Sequence, residues 1–237
     1  MAVKQKIFLP GAGEQLRFLE NEITIEAMAS AVFGSGSGTI SRMLHDDTGA
    51  PVELIVEDYE SLIEAQLEIK NLEGVKARIM SFSATDFKDD SFDLVYAQAS
   101  ISGSSRVKIL KEIKRILKPQ GYLCVGEIVK LTKDTPRFVQ DVWKSSDLSP
   151  LNHDEIEDFY KSRNFEVLKS IDMSRTLKEF YSMGQEQLKK NVNTMTEQEK
   201  SYNKKLINRM SHESNVYLRQ GGDRHIGFKV MILKNEK

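Results

Sequence analysis

At 237 residues the chain is long enough for one substantial domain with an added subdomain, and short for two independent ones. Hydrophobic residues make up 40% and charged residues 29%, an ordinary globular balance, and 34 Lys plus Arg face 35 Asp plus Glu for a net charge of −1. That balance gives no electrostatic basis for nucleic acid as a main partner, and no run approaches the length of apolar residues that a membrane span needs.

The N-terminal stretch MAVKQKIFLPGAGEQL lacks the apolar core of a secretory signal. The single cysteine, Cys124, lies in the apolar run GYLCVGEIV, where a buried and inert thiol is expected. A soluble, cytoplasmic protein, monomeric or homodimeric, is therefore expected.

In chain order, ASAVFG predicts a first strand that leads through Gly34, Gly36 and Gly38 into a helix over TISRMLHD. VELIVED predicts a second strand, and in the following YESLIEAQLEIKNL the residues Leu62, Ala65, Ile69 and Leu72 fall on one helical face. VKARIMSF and FDLVYAQA predict strands three and four. A helix from Arg106 to Leu117 follows, with Val107, Leu110, Ile113 and Leu117 inward, and the basic residues of KILKEIKRILK form its solvated face. KPQG breaks that helix at a turn, and YLCVGEIV, apolar almost throughout, predicts a fifth strand covered on both faces. NHDEIEDFYKSRN predicts a helix capped by Asn152 with Glu155 three residues on, while FEVLKSIDM and HIGFKVMIL predict the last two strands.

Strands alternating with helices predict an α/β fold: a seven-stranded, mostly parallel, doubly wound sheet forming a single domain over residues 1–237. Residues 174–224 form a helical insertion before the last strand. It groups Leu177, Phe180 and Tyr181, then opens a second helix on the pair Thr196 and Glu199, with Tyr202, Leu206 and Met210 on one stripe. Extra core packing, a dimer contact and a cap over an acceptor pocket all suit such an insertion.

The glycine loop VFGSGSGTI carries the first chemical signal. Glycines permit positive φ, let a ligand approach the backbone, and leave N–H groups free at a helix start. A dinucleotide fingerprint needs a glycine or alanine where Thr39 stands, which argues against a nicotinamide oxidoreductase, and no Lys-Ser/Thr pair follows for a phosphate-cradling loop. About twenty residues on, the second strand ends in Glu57 and Asp58. One carboxylate there can accept hydrogen bonds from ribose hydroxyls while the other caps a helix, and Glu57 is given the ribose and Asp58 the helix start.

With VFGSGSG, LIVEDYESLIEA, FKDDSFDLVYAQ and EIKRILKPQGYL in order, the chain resembles the class I, Rossmann-like S-adenosylmethionine-dependent methyltransferases. The likeness is to their small-molecule branch, which includes quinone-biosynthesis C-methyltransferases. It covers about residues 28–130 and extends to about 170 through LNHDEIEDFYKSRNFEVL. The resemblance implies S-adenosyl-L-methionine as cofactor and methyl transfer to a small-molecule acceptor by in-line displacement. A non-catalytic S-adenosylmethionine-binding or scaffold protein is the alternative. It further implies that Gly34, Ser35, Gly36 and Gly38 face the methionine part, Glu57 and Asp58 the ribose side, Ser81 and Phe82 the adenine edge, and Ala97 and Gln98 the sulfonium end. Three positions depart from the family pattern: Val32 and Ser81 stand where acids are common, and Gln120-Gly121 replaces a double glycine. Val32 implies that the cofactor's ammonium is held by main-chain carbonyls near Gly34 and Ala97, or by an acid from outside the motif.

Methyl transfer needs a general base only when the acceptor must lose a proton. Glu127, Tyr96 and His225 are the catalytic candidates by their places at strand ends; a salt bridge is the competing role for Glu127, while His153 suits a surface helix start. Tyr181 and Tyr202 suit either an acceptor pocket or core packing. No histidine forms a metal-type grouping with Cys124 or another histidine, so no catalytic metal is expected.

Overall fold

The computed structural model describes residues 7–70 and 72–237. Helix α1 (Glu14–Glu22) precedes β1 (Ser30–Phe33), followed by α2 (Gly38–Thr48), β2 (Val52–Val56), α3 (Tyr59–Glu68), β3 (Val75–Ile79), β4 (Phe92–Gln98), α4 (Arg106–Ile116) and β5 (Leu117–Lys130). Then come α5 (Arg137–Ser145), the two-residue β6 (Leu151–Asn152), α6 (Ile156–Lys161), β7 (Phe165–Asp172), α7 (Leu177–Thr194), α8 (Glu197–Tyr202), α9 (Lys204–Arg219) and β8 (Ile226–Asn235). The sheet order is β3-β2-β1-β4-β5-β8-β7, with β6 beside the end of β5. All pairings are parallel except those of β8, which runs antiparallel to both β5 and β7. The strand order reverses between β1 and β4, and a crevice opens at such a switch point beyond the strands' carboxyl ends.

Both faces of the central strands are covered, and the period of two sorts their side chains. Val32, Leu54, Leu94, Tyr96, Cys124, Phe228 and Val230 pack on the face shared with α1, α2, α7 and α9. Ala31, Phe33, Ile55, Val95, Val125 and Met231 pack on the other, against Ile109, Ile113 and Tyr160 of α4 and α6. Each fully buried aliphatic side chain contributes roughly 1.5–3 kcal/mol relative to exposure. At the edge, β3 turns Lys76 and Arg78 outward, as an uncovered strand requires.

Four local expectations are corrected. Val107 is 42% exposed: Leu110 and Ile113 face inward as expected, but the packing of α4 on the sheet adds Ile109 and Ile116 to that face in its place, and the helix ends at Ile116, so that Leu117 is buried as the start of β5. The KPQG segment lies inside β5, as a bulge: pairing steps from Phe92–Leu117 to Leu94–Tyr122, with Gln120 at φ 64°. Asn152 belongs to β6 and α6 starts only at Ile156, although Asn152 Nδ2 still donates to Glu155 Oε2 at 2.6 Å. The Thr196/Glu199 capping box forms, but the helix it opens breaks at Asn203, leaving Tyr202 89% exposed. Helices α1 and α5 are additions to the expected elements. Among the described residues no helix is long and apolar enough to cross a membrane.

Candidate functional site

The loop between β1 and α2 forms as it does because two of its glycines take backbone conformations that side chains rarely adopt. Gly34 has φ 137° and Gly36 φ 71°, and a Cβ at Gly34 would come within 2.8 Å of Ser100 Cβ. The loop is tied to its neighbours by the Gly34 N–H donating to Ile55 O at 3.1 Å and by Ser100 Oγ donating to Phe33 O at 2.6 Å. Ser35 and Gly36 are exposed at the carboxyl edge of the sheet, while Ser37 is buried with its Oγ unpartnered. A bare-backbone cradle with an orphaned hydroxyl behind it suits a polar ligand lying on the loop. Gly38 serves a different purpose. Its missing side chain makes room for Glu68, whose Oε2 accepts the Thr39 N–H at 2.9 Å at the start of α2.

At the end of β2 the two acids separate. Asp58 caps α3, accepting from Ser61 N at 2.8 Å and Ser61 Oγ at 2.7 Å, and these bonds hold its carboxyl below the usual range. Ser61 Oγ also lies 2.7 Å from Ser35 Oγ, so the cap and the glycine loop are one hydrogen-bonded unit. Glu57 is exposed; its Oε1 accepts the Phe82 N–H at 2.9 Å, and Oε2 has no protein partner among the described residues. Phe82 is buried against Phe33, 5.3 Å between ring centroids, and Ser81 is exposed with its Oγ 3.1 Å from Ser83 Oγ. Gly34, Ser35, Gly36, Glu57, Ser81 and Phe82 thus share one edge of the sheet.

The end of β4 is closed by the N-terminal segment. Gln98 Nε2 donates to Pro10 O at 2.7 Å and Ala12 O at 2.8 Å, and its Oε1 accepts from Tyr96 Oη at 2.8 Å. Ala97 O accepts from Gln15 Nε2 at 3.1 Å, so the carbonyl expected to hold an ammonium already carries one donor. Gly11 N donates to Thr176 Oγ1 at 3.1 Å, and Glu14 pairs with Arg175. Residues 9–15 are therefore strapped across β4 and onto the start of the insertion. No sequence motif marks this strap; the run PGAG, with Gly11 at φ 84° and Ala12 at φ 44°, is its only local sign.

The catalytic candidates lie apart. Glu127 is fully buried between α4 and α6, where Arg106 Nε donates to its two oxygens at 3.1 and 2.8 Å and Tyr160 Oη donates to Oε1. Burial pushes its carboxyl up, while Arg106, Tyr160 and Ser102 pull against that. Tyr96 is also fully buried, and burial raises its phenol well above the ordinary value. His225 follows a short turn before β8, its Nδ1 2.6 Å from Thr132 Oγ1. His153 lies between Asp154 and Asp172, 2.9 and 3.5 Å away. Tyr181 is buried and stacked on Tyr217, 4.4 Å between centroids, whereas Tyr202 points outward. Cys124 is buried, and burial pushes its thiol up to about 12. Among the described residues no cluster of three or more His, Cys, Asp or Glu side chains is arranged to hold a metal ion.

Residues 32–125 match the family model for a methyltransferase domain. A search of curated proteins finds no match. Among solved structures, the chain is similar to a protein of Galdieria sulphuraria assigned as a sarcosine dimethylglycine methyltransferase, at 15% identity and TM-score 0.76, covering 94% of this chain and 85% of that one. A phosphoethanolamine N-methyltransferase of Haemonchus contortus, in complex with S-adenosylhomocysteine, is 15% identical with TM-score 0.78, covering 97% and 54%. Geranyl diphosphate C-methyltransferase of Streptomyces coelicolor is 12% identical with TM-score 0.71, covering 94% and 77%. Residues 32–125 thus match a methyltransferase-domain model, in a chain whose fold is that of these S-adenosylmethionine-dependent methyltransferases.

Proposed function

We propose that the chain transfers a methyl group from S-adenosylmethionine to a small-molecule acceptor by in-line displacement. The observation that carries this reading is the pairing of the Gly34–Gly36 cradle with the exposed, half-used carboxylate of Glu57 on the same edge of the sheet. In this reading Gly34, Ser35 and Gly36 hold the methionine part through their backbone, and Ser37 Oγ gains a partner. Glu57 accepts from the ribose hydroxyls, with Asp58 fixing the start of α3 beside it. Ser81 and the Phe82 backbone line the adenine edge. Bound S-adenosylmethionine supplies a methyl group on a sulfonium sulfur, which leaves as a neutral thioether.

The protein's own contribution is orientation and exclusion of water, and orientation alone is worth roughly 7–11 kcal/mol. The strap over β4 and the insertion over residues 174–224 are the parts we assign to closure. Glu127 and Tyr96 act through the fold in this reading, and of the three catalytic candidates only His225 keeps a place at the carboxyl edge.

The test is transfer of a labelled methyl group from S-adenosylmethionine into a metabolite extract that also contains protein and RNA. Label in the small-molecule fraction is expected. Label confined to a macromolecule, or none anywhere, contradicts the reading.

A further inference from the structure

A cleft of about 690 Å³ adjoins the glycine loop, floored by Gly36 and Thr39. Helix α3 forms one wall and α7 of the insertion the other, with Ile7 and Phe8 of the N-terminal segment between them. Two features of its walls are unusual together. Large apolar side chains face it without cover: Leu67 is 69% exposed and Phe8 40%. Unpaired carboxylates stand among them, since Glu64 and Glu68 from α3 and Glu186 from α7 form no ion pair among the described residues. Lys190 is the one cationic side chain in the lining, and Arg42 acts on Glu68 from behind it, so the cleft mixes apolar surface with a small excess of negative charge.

We propose that this cleft holds the methyl acceptor and that the acceptor is a cationic amine carrying an apolar portion, an inference that rests on the methyl-transfer reading above. An apolar body covers Leu67, Phe8 and Met183, while an ammonium group offsets Glu64 and Glu68, which repel one another along α3, and Glu186 of α7. An anionic acceptor meets three like charges against one lysine. The cleft touches the glycine loop at Gly36, so an acceptor in it lies beside the loop assigned to the cofactor. The reaction balances for this class. The bound ammonium first gives up one N–H proton, and the freed lone pair of the amine nitrogen then bonds to the methyl carbon as the carbon–sulfur bond breaks with its electron pair going to sulfur. Glu68, whose carboxyl is raised by burial and by Glu64 against the pull of the Thr39 N–H, is a carboxylate of the lining that can receive that proton and pass it to water.

Three probes of one chain length, n-octylamine, n-octanol and octanoate, titrated into the full chain by calorimetry, separate charge from apolar burial. Octylamine is expected to bind at least tenfold tighter than octanol, with octanoate weakest, and the preference is expected to shrink in high salt. Glu186→Gln, on the exposed side of α7, and Glu68→Gln, which keeps an acceptor for Thr39 N–H, are each expected to weaken octylamine several-fold and leave octanol unchanged. Equal or tighter binding of octanol or octanoate, no binding of any probe, or octylamine binding indifferent to both substitutions overturns the proposal. A parallel titration with S-adenosylhomocysteine keeps the two ideas apart: if it binds and octylamine does not, the acceptor class falls and the methyl-transfer reading stands.

Discussion

Arg106 and Glu127 form a buried ion pair in which one guanidinium nitrogen donates to both carboxylate oxygens, at 3.1 and 2.8 Å, on the face of the sheet covered by α4 and α6. Arg106 also donates through Nη2 to Ser149 O at 2.9 Å, so the pair clamps the start of α4 to the segment before β6. Removing one partner strands the other charge in the interior, which costs about 3–5 kcal/mol. Glu127→Ala is therefore expected to lower the unfolding free energy by that order, read as a lower urea midpoint, and its remaining folded fraction is expected to bind S-adenosylhomocysteine as the parent does. A stable variant with lost affinity would place Glu127 in the site instead.

Gly34→Ala tests the cradle. At φ 137° any side chain is strained, and here the new Cβ would meet Ser100 Cβ at 2.8 Å. We expect destabilisation of more than about 1 kcal/mol and at least a tenfold loss of cofactor affinity. Gly49→Ala, at φ 64° with nothing within 4 Å, is the milder control: a left-handed backbone without a clash, with affinity retained.

Gln98 tests the strap. It is buried and makes three hydrogen bonds, two of them to the carbonyls of Pro10 and Ala12. Gln98→Ala leaves these groups short of partners, at about 1–3 kcal/mol. Hydrogen exchange is expected to speed up over residues 9–15 and at Gly11 N, more than in the sheet. Uniform acceleration across β4 and β5 would mean that Gln98 supports the core and not the strap.

Glu20 and Asp47 give a pH signature. The Glu20 carboxyl is raised to about 7, first by burial and then by its hydrogen bond to and repulsion from Asp47. A folded-state value above the unfolded one means that the folded state holds the proton more tightly. The stability from this group is therefore full below the ordinary value of 4.5 and is lost as pH rises towards 7. Asp47→Asn removes the repulsion. It is expected to melt higher than the parent at pH 8, with the gap closing by pH 5; a gap that is constant with pH would contradict the assignment.

What could be read from the sequence was local. The apolar runs around Val32, Leu54, Val95 and Val125 mark the strands, because a strand covered on both faces has few polar choices. Asp58 as a cap follows from its place directly before the helical stretch, and the Thr196/Glu199 box from the three-residue spacing of a capping pair. The misjudged details depend on partners distant in sequence. Val107 and Ile109 are both apolar residues of one helix turn, and only the packing of α4 on β5 decides which faces in. For Glu127 the sequence allowed a salt bridge or a catalytic role and could not name the partners, because Arg106 and Tyr160 come from two separate helices. The strap was illegible for the same reason: Gln15 and Gln98 are polar residues whose partners lie 82 to 88 residues away. Glu68 carries no motif, and Gly38, the residue that makes room for it, reads in sequence as one more glycine of the loop.

The central claim is that the glycine loop and Glu57 together bind S-adenosylmethionine. Its most direct test is calorimetric titration of the parent and of Glu57→Ala with S-adenosylhomocysteine, since Glu57 is exposed and its loss is not expected to unfold the chain. The account predicts measurable binding by the parent and at least tenfold weaker binding by the variant, with melting temperatures nearly equal in the absence of ligand. No binding by the parent at millimolar ligand, or equal affinity in the two proteins, would contradict it.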